Sequence, residues 1–298
     1  MIELPRSFLE MPRWWTEGAD WLAALPGAIE QQCARRGLTI AGPLAHGSNA
    51  VVVPVERGSE RFALRMAPPG DEVAEQTTAL RWWDGRGTVR LYDADVARGA
   101  MLLELLGEPL DERPIGEAVE VLGGLMRRLG VEGPADALST QEIVQARAAV
   151  MEGQIAGQIG AVQRPRIEAV PLPYLRAALA VADELVSSSA TAAVNGDLHS
   201  AQVLRGDREP WLVVDPVLYR GDIEFDLGRI LWTRLDEMAG DAEIRRCFDT
   251  VVRAAGLDHS YARDWVIFRT VDYWLWGLSV GLTTDPVRCQ RLLDAMSR

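Results

Sequence analysis

Near residue 107 the spacing of the apolar residues shifts from mainly strand-like to mainly helical, and that change limits the possible folds more than any other feature. Before it, apolar residues fall in short runs, alternating or rich in Val and Ile, at 38–44, 50–56, 61–66, 88–92 and 100–106. His46-Gly47-Ser48-Asn49 and Arg57-Gly58-Ser59 punctuate the first three, so strands joined by tight turns are predicted. Helices are predicted beside them over 20–36 and 72–83, with Pro26 as an expected interruption of the first. Beyond Gly107 and Pro109 the period becomes helical. Val119, Leu122, Leu125, Met126 and Leu129 form one stripe of a helix over 115–129. Ser139-Thr140-Gln141-Glu142 has the form of a capping box opening a helix to about residue 157. Further helices are predicted over 173–187, 224–238, 242–255 and 260–282, and a last one from Asp285-Pro286, with a β-like block at 194–214. The pattern predicts an α+β chain in two lobes: a small β-rich N-terminal lobe with a leading helix, residues 1–105, and a larger, mainly helical lobe, residues 106–298.

The balance of side chains excludes several classes of function. Of 298 residues 48% are hydrophobic and 25% charged, the proportions of a soluble globular protein. No apolar stretch approaches the roughly 20 residues of a membrane span, and the N-terminus lacks the basic-then-apolar pattern of a secretory signal, so a cytoplasmic protein with no membrane partner is expected. A net charge of −12 argues against nucleic acid as a partner. Residues 1–105 hold 14 acidic and 11 basic side chains, so most of the acidic excess falls in the helical lobe, where a cationic partner is expected. There is no lysine, so chemistry that normally uses Lys must use Arg. Cys33, Cys247 and Cys289, with no C-x-x-C, do not form a disulfide framework, and His46, His199 and His259 lack zinc-ligand spacing. A monomer or homodimer fits this chain.

The segment that carries chemistry is Asn195-Gly196-Asp197-Leu198-His199-Ser200-Ala201-Gln202, followed by Trp211-Leu212-Val213-Val214-Asp215. Asp197 stands on a turn after the apolar Ala192-Ala193-Val194, Gln202 five residues on, and Asp215 at the end of an apolar strand. Phosphoryl transfer uses such a set: one carboxylate to accept or orient the attacking hydroxyl, and an amide oxygen with a second carboxylate to hold Mg²⁺ against nucleotide phosphates. Two carboxylates bridged by a divalent metal are tolerated together, whereas an unpaired couple in a cleft repel and one tends to protonate.

This order resembles the catalytic and metal-binding loops of the protein-kinase-like superfamily, in its antibiotic-phosphotransferase branch. Asn195-Gly196-Asp197-Leu198-His199, Arg208-Glu209-Pro210-Trp211-Leu212, Val214-Asp215-Pro216 and Gly221-Asp222-Ile223-Glu224-Phe225-Asp226 are similar to the group of streptomycin 6-kinases and hydroxyurea phosphotransferases. Trp21-Leu22-Ala23-Ala24-Leu25-Pro26 and Leu80-Arg81-Trp82-Trp83-Asp84-Gly85-Arg86-Gly87 extend the likeness over about residues 15–280. The resemblance implies a bilobal protein-kinase-like fold with ATP between the lobes. Asp197 would be the catalytic base, His199 would lie near the transferring phosphate, and Gln202 and Asp215 would be the metal ligands. The turn at Gly47, Ser48 and Asn49 would cover the phosphates. Arg65 would take the place of the phosphate-gripping Lys, as a planar fork rather than a point charge. Glu75, or Glu72 one turn earlier, would be its partner, and Glu104 to Leu106 the hinge that pairs with adenine.

The function implied is an ATP- and Mg-dependent O-phosphotransferase that inactivates a cationic antibiotic, a streptomycin-type aminoglycoside first and a capreomycin- or viomycin-type cyclic peptide second. Glu224, Asp226, Asp236 and Asp272 are the candidates for contact with the cationic acceptor. Asp226 has structural work as its other reading, bonding the catalytic loop or capping a helix. A small-metabolite kinase acting on hydroxyurea, a sugar amine or an amino-alcohol, and a non-catalytic nucleotide-binding protein, are the alternatives.

Overall fold

In the computed structural model, which describes residues 2–12, 14, 18–160 and 169–297, the elements follow in this order. The first part holds α1 (Arg6–Leu9), α2 (Ala19–Arg36), β1 (Thr39–Ile40), β2 (Ala45–His46), β3 (Val51–Arg57), β4 (Glu60–Met66), α3 (Asp71–Trp83), β5 (Leu91–Asp95) and β6 (Ala100–Glu104). Then come α4 (Ile115–Leu129), α5 (Thr140–Gly160), α6 (Leu172–Val186), β7 (Ala192–Val194), β8 (Val203–Arg205), β9 (Trp211–Val213) and β10 (Tyr219–Gly221). The chain closes with α7 (Leu227–Thr233), α8 (Asp241–Ala255), α9 (His259–Ser279) and α10 (Asp285–Met296). This is the kinase-like arrangement of an antiparallel N-terminal sheet followed by a mostly helical part. Two compact units divide it: residues Met1–Glu108 with Leu204–Asp215, and Pro109–Val203 with Pro216–Arg298.

In the first unit the strands lie in the order β1-β3-β4-β6-β5, all neighbours antiparallel, with β2 also paired to β3. Because side chains alternate along a strand, β3 and β4 divide cleanly. Val51, Val53 and Val55 pack with Phe62, Leu64 and Met66 and with Leu25, Ile29 and Cys33 of α2. The intervening Val52 and Ala63 pack on the other face with Met101, Leu103 and, from α3, Val73 and Leu80. Arg61 and Arg65 share the parity of Ala63 and so belong to this second face. Burial of Leu25 and Ile29 carries α2 unbroken through Pro26, although the ring removes one N–H from the ladder.

Two strand expectations shift. The run at 38–44 becomes β1 and β2 with Gly42 and Pro43 between, since proline offers no N–H to a ladder. The strand predicted over 88–92 starts only at Leu91, because Val89 N–H donates to Val213 O (2.8 Å) and Val213 N–H to Gly87 O (3.0 Å). With Gly107 N–H on Arg205 O and Arg205 N–H on Glu108 O (2.8 and 2.9 Å), those bonds tie residues 204–215 to the first unit.

In the second unit the capping box forms as its residues predict. Ser139 N–H and hydroxyl donate to the Glu142 carboxylate (2.9 and 2.7 Å), and Glu142 N–H returns to Ser139 Oγ (3.1 Å). Gly123 lets α4 and α8 approach: a Cβ there would stand 2.6 Å from Val251 O and 2.8 Å from Ala254 Cβ. The helix predicted over 224–238 is instead a tight 3₁₀ turn at Ile223–Asp226, then α7, then a second turn at Leu235–Glu237. The cause is Asp226, whose side chain turns inward to bond the loop at Gly196 and Leu198. Among the described residues no helix is long and apolar enough to cross a membrane.

Candidate active site

On the second face of the first unit's sheet, polar side chains meet around Arg65. The hairpin of β2 and β3 turns at Gly47 to Ala50, where Gly47 N–H donates to Ala50 O (2.9 Å). Asn49 at that turn is buried; its amide donates to Glu72 and its carbonyl accepts from Arg65 Nη2 (3.3 Å). The same Nη2 lies 3.4 Å from Asp215 Oδ1, and Gln76 Nε2 donates to that oxygen as well. Arg65 Nη1 is buried and has no hydrogen-bond partner among the described residues. An orphaned guanidinium donor is costly to bury unless an acceptor arrives, and a phosphate oxygen is the acceptor its fork fits.

The partner expected for Arg65 is corrected by this geometry. Glu75 is exposed, Glu72 reaches Arg65 only through Asn49, and the ion pair of Arg65 is with Asp215. Helical phase is the reason: Glu72 and Gln76 are four residues apart on one face of α3, and Glu75 is turned about 100° from Gln76. Gln76 was not anticipated, yet with Thr77 it is one of two polar residues within the buried stripe Val73, Gln76, Thr77, Leu80.

The segment Glu104 to Leu106, expected to be the hinge, lies along the same face. Glu104 is pinned at its side chain by Arg90 N–H and by Arg208 Nη2, each at 3.1 Å. Leu105 and Leu106 pack with Val52 and Val214 against Ala63. A cavity of about 590 Å³ opens there, lined by Gly42, Pro54, Arg61, Leu106, Glu108 and Arg205 among others. Arg65 lies four residues along β4 from Arg61 at the cavity, about 13 Å at a rise of about 3.3 Å per residue. An extended nucleoside triphosphate spans a distance of that order.

The catalytic loop is built by the second unit. β7 delivers the chain to Asn195, which is buried and accepts Val217 N–H on Oδ1 (3.0 Å). Gly196 follows with φ +80°, and a Cβ there would stand 2.5 Å from the Tyr219 ring, so only glycine suits this turn. Asp226, fully buried, accepts Gly196 N–H (3.3 Å) and Leu198 N–H (3.2 Å). Burial pushes its carboxyl up to about 7, against the Leu198 N–H. The backbone on both sides of Asp197 is thus gripped by one side chain.

Asp197 is one-third exposed, and both of its oxygens are held. Gln202 Nε2 donates to Oδ2 (2.9 Å), and Arg229 Nε stands 2.6 Å from Oδ1 as an ion pair without the alignment of a hydrogen bond. His199 Nε2 is 3.8 Å from Oδ2. Burial first, and the charge of Arg229 second, depress the His199 pKa to about 4, so this ring is neutral at pH 7. Ser200 Oγ donates to Asp111 and fixes the far side of the loop. With its amide nitrogen turned to Asp197, Gln202 leaves Oε1 buried and without a partner among the described residues. A buried carbonyl oxygen in that condition suits a hard oxygen-seeking cation such as Mg²⁺.

The acidic residues expected to receive a cationic acceptor are mostly engaged. Asp272 is bound by Arg147 and by Arg269 Nη1 (2.7 Å), and Asp236 by Arg288 (2.8 Å) and Arg291 (3.3 Å). Asp226 is spent on the catalytic loop. Glu224 differs: burial, with Asp222 and Asp258 nearby, holds its carboxyl up to about 7.

A match to the family described as aminoglycoside/hydroxyurea antibiotic resistance kinase spans residues 36–281. The chain belongs to that family. A hydroxyurea phosphotransferase of Kitasatospora aureofaciens is 34% identical over 97% of this chain and 84% of its own length. A streptomycin 6-kinase of Streptomyces glaucescens is 34% identical over 91% of this chain and 89% of its own. Among solved structures, aminoglycoside phosphotransferase APH(4)-Ia in ternary complex with ADP and hygromycin B aligns with a TM-score of 0.58 at 14% identity, over 90% of this chain and 97% of that one. Choline kinase LicA of Streptococcus pneumoniae aligns at 0.58 and 11% identity, over 92% and 99%. As a member of this kinase family the chain is a phosphotransferase with a hydroxyl acceptor. Arg229, whose guanidinium holds the Asp197 carboxylate, had no signal in the sequence: a charged residue on a short helix is ordinarily a solvated one.

Proposed function

We propose that the chain transfers the γ-phosphoryl group of ATP to a hydroxyl of a small-molecule antibiotic, as a resistance enzyme. The observation that carries this is Asp197, a partly exposed carboxylate fixed on both oxygens at the turn of a braced loop. Fixed in this way it accepts the proton of the acceptor hydroxyl as the oxygen bonds to phosphorus and ADP departs. Arg65 grips phosphate oxygens through its unpartnered Nη1. Asp215 in the first unit and Gln202 in the second each carry an oxygen of the kind magnesium takes, and a metal held by such oxygens would neutralise triphosphate charge. His199, being neutral, donates or accepts a hydrogen bond without adding charge.

Hydroxyurea and streptomycin, named by the relatives, are the first two acceptors to test, with a capreomycin-type cyclic peptide third. The acidic excess of residues 106–298 favours a cation, but Asp226, Asp236 and Asp272 already face donors of the chain, so net charge alone does not select one. Mass spectrometry of these compounds after incubation with protein, ATP and Mg²⁺ tests the function. One added phosphate on one of them is expected. ATP-dependent thermal stabilisation with no phosphate on any acceptor would identify a non-catalytic nucleotide-binding protein instead.

A further inference from the structure

One helical turn of the second unit grips the catalytic loop twice. Asp226 takes the N–H groups of Gly196 and Leu198, and Arg229, three residues on, takes the side chain of the residue between them. The two anchors have opposite charge and opposite targets. Asp226 fixes the loop backbone, while Arg229 fixes where the Asp197 carboxylate aims.

We infer that Arg229 is a positioning and specificity-determining residue, which orients Asp197 and keeps the surroundings of the reacting hydroxyl for an uncharged acceptor group. This rests on the phosphotransfer reading above. Arg229 is the cation in contact with Asp197, at 2.6 Å, with Gln202 uncharged on the other oxygen, while Asp226 and, on the His199 side, Asp111 are the further acidic groups within electrostatic range. A guanidinium or ammonium brought close enough to Asp197 to gain its attraction comes about equally close to Arg229, and the two interactions oppose each other. An acceptor whose hydroxyl stands on a neutral amide, as in hydroxyurea, meets no such opposition. A polycation is admitted only if its charged groups lie well away from the reacting hydroxyl.

The test compares wild type with Arg229→Ala and Arg229→Lys, using hydroxyurea, streptomycin and water (slow ATP hydrolysis) as acceptors, and measures kcat and the KM for ATP in each. Arg229→Ala is expected to lower kcat with hydroxyurea and with water by about 10- to 100-fold, the scale of a misaimed catalytic group. Its KM for ATP should stay within about 3-fold, Arg229→Lys should recover part of kcat, and added guanidinium ion should recover part of it in Arg229→Ala. The ratio of kcat/KM for streptomycin to that for hydroxyurea should rise at least about 10-fold in Arg229→Ala, because the opposing charge is gone. Unchanged kcat in Arg229→Ala, or an equal loss on both acceptors without rescue by Lys or guanidinium, overturns the inference and leaves phosphotransfer intact. Wild-type protein that turns over no ATP with any acceptor, water included, overturns the phosphotransfer reading beneath it.

Discussion

Removing the Asp226 carboxylate tests the loop architecture most severely. Asp226→Ala leaves the N–H groups of Gly196 and Leu198 without their acceptor, Leu198 where burial denies it water and Gly196 half-buried. A buried donor left unpaired costs about 1–3 kcal/mol and a half-buried one less, so the variant should lose about 1–4 kcal/mol of stability. Part of that is offset, since Asp226 is itself buried and its carboxyl is pushed up to about 7, which places the net loss toward the lower end. Asp226→Asn keeps the shape and one carbonyl oxygen but turns an amide donor toward an N–H, so about half of the loss is expected to remain. Urea unfolding measures the midpoint and its slope, and kcat measures the aim of Asp197. A drop of about 100-fold in kcat should accompany Asp226→Ala at temperatures where it is fully folded. A midpoint within error of wild type, with kcat retained, would refute the claim that Asp226 holds the loop. A kcat that falls while the KM of the acceptor alone rises in step would return Asp226 to the role of an acceptor contact.

Other perturbations are expected to act as follows. Arg65→Ala removes the buried fork beside Asp215 and should raise the KM for ATP by about 10-fold or more with little change in the KM of the acceptor; equal effects on both would contradict a phosphate-gripping role. Glu224 has a carboxyl raised to about 7 from an ordinary 4.5, so its share of stability is present below pH 4.5 and lost as pH rises through 7. Glu224→Gln should therefore unfold at higher urea than wild type at pH 8, by up to about 3 kcal/mol, and differ little at pH 4; a constant difference across that range would contradict the assignment. Gly123→Ala forces a methyl against Val251 O and Ala254 at the α4–α8 contact and should lower stability by about 1–3 kcal/mol, read as a lower melting temperature with kcat unchanged at 25 °C.

Much of this protein was legible before any coordinates. The short apolar runs at 50–56 and 61–66 with Arg57-Gly58-Ser59 between them predicted the central hairpin, and the Ser139–Glu142 box predicted the start of α5. The strength of both signals comes from being local: a tight turn and a helix cap involve residues at most a few positions apart. Asp197 and Gln202 stood out in the sequence as a candidate base and a candidate metal ligand, but the hydrogen bond between them was not anticipated. What else escaped depends on contacts distant in sequence. Arg229 meets Asp197 across more than thirty residues, and Asp236 and Asp272 acquire arginine partners from α10, α5 and their own helix, so a lobe with a large acidic excess holds fewer available carboxylates than its composition suggests. Gln76 lay in plain view as a polar residue in an apolar stripe, but charge drew attention to its neighbour Glu75.

Transfer itself remains the most direct test. Purified protein and Asp197→Ala, each incubated with ATP, Mg²⁺ and hydroxyurea or streptomycin, can be followed by the appearance of phosphorylated acceptor in the mass spectrum. Wild type should convert at least one of the two to a monophosphate, and Asp197→Ala should be slower by about 100-fold or more while still being stabilised by ATP. An Asp197→Ala protein that phosphorylates the acceptor at a rate close to wild type would contradict the role given to that carboxylate.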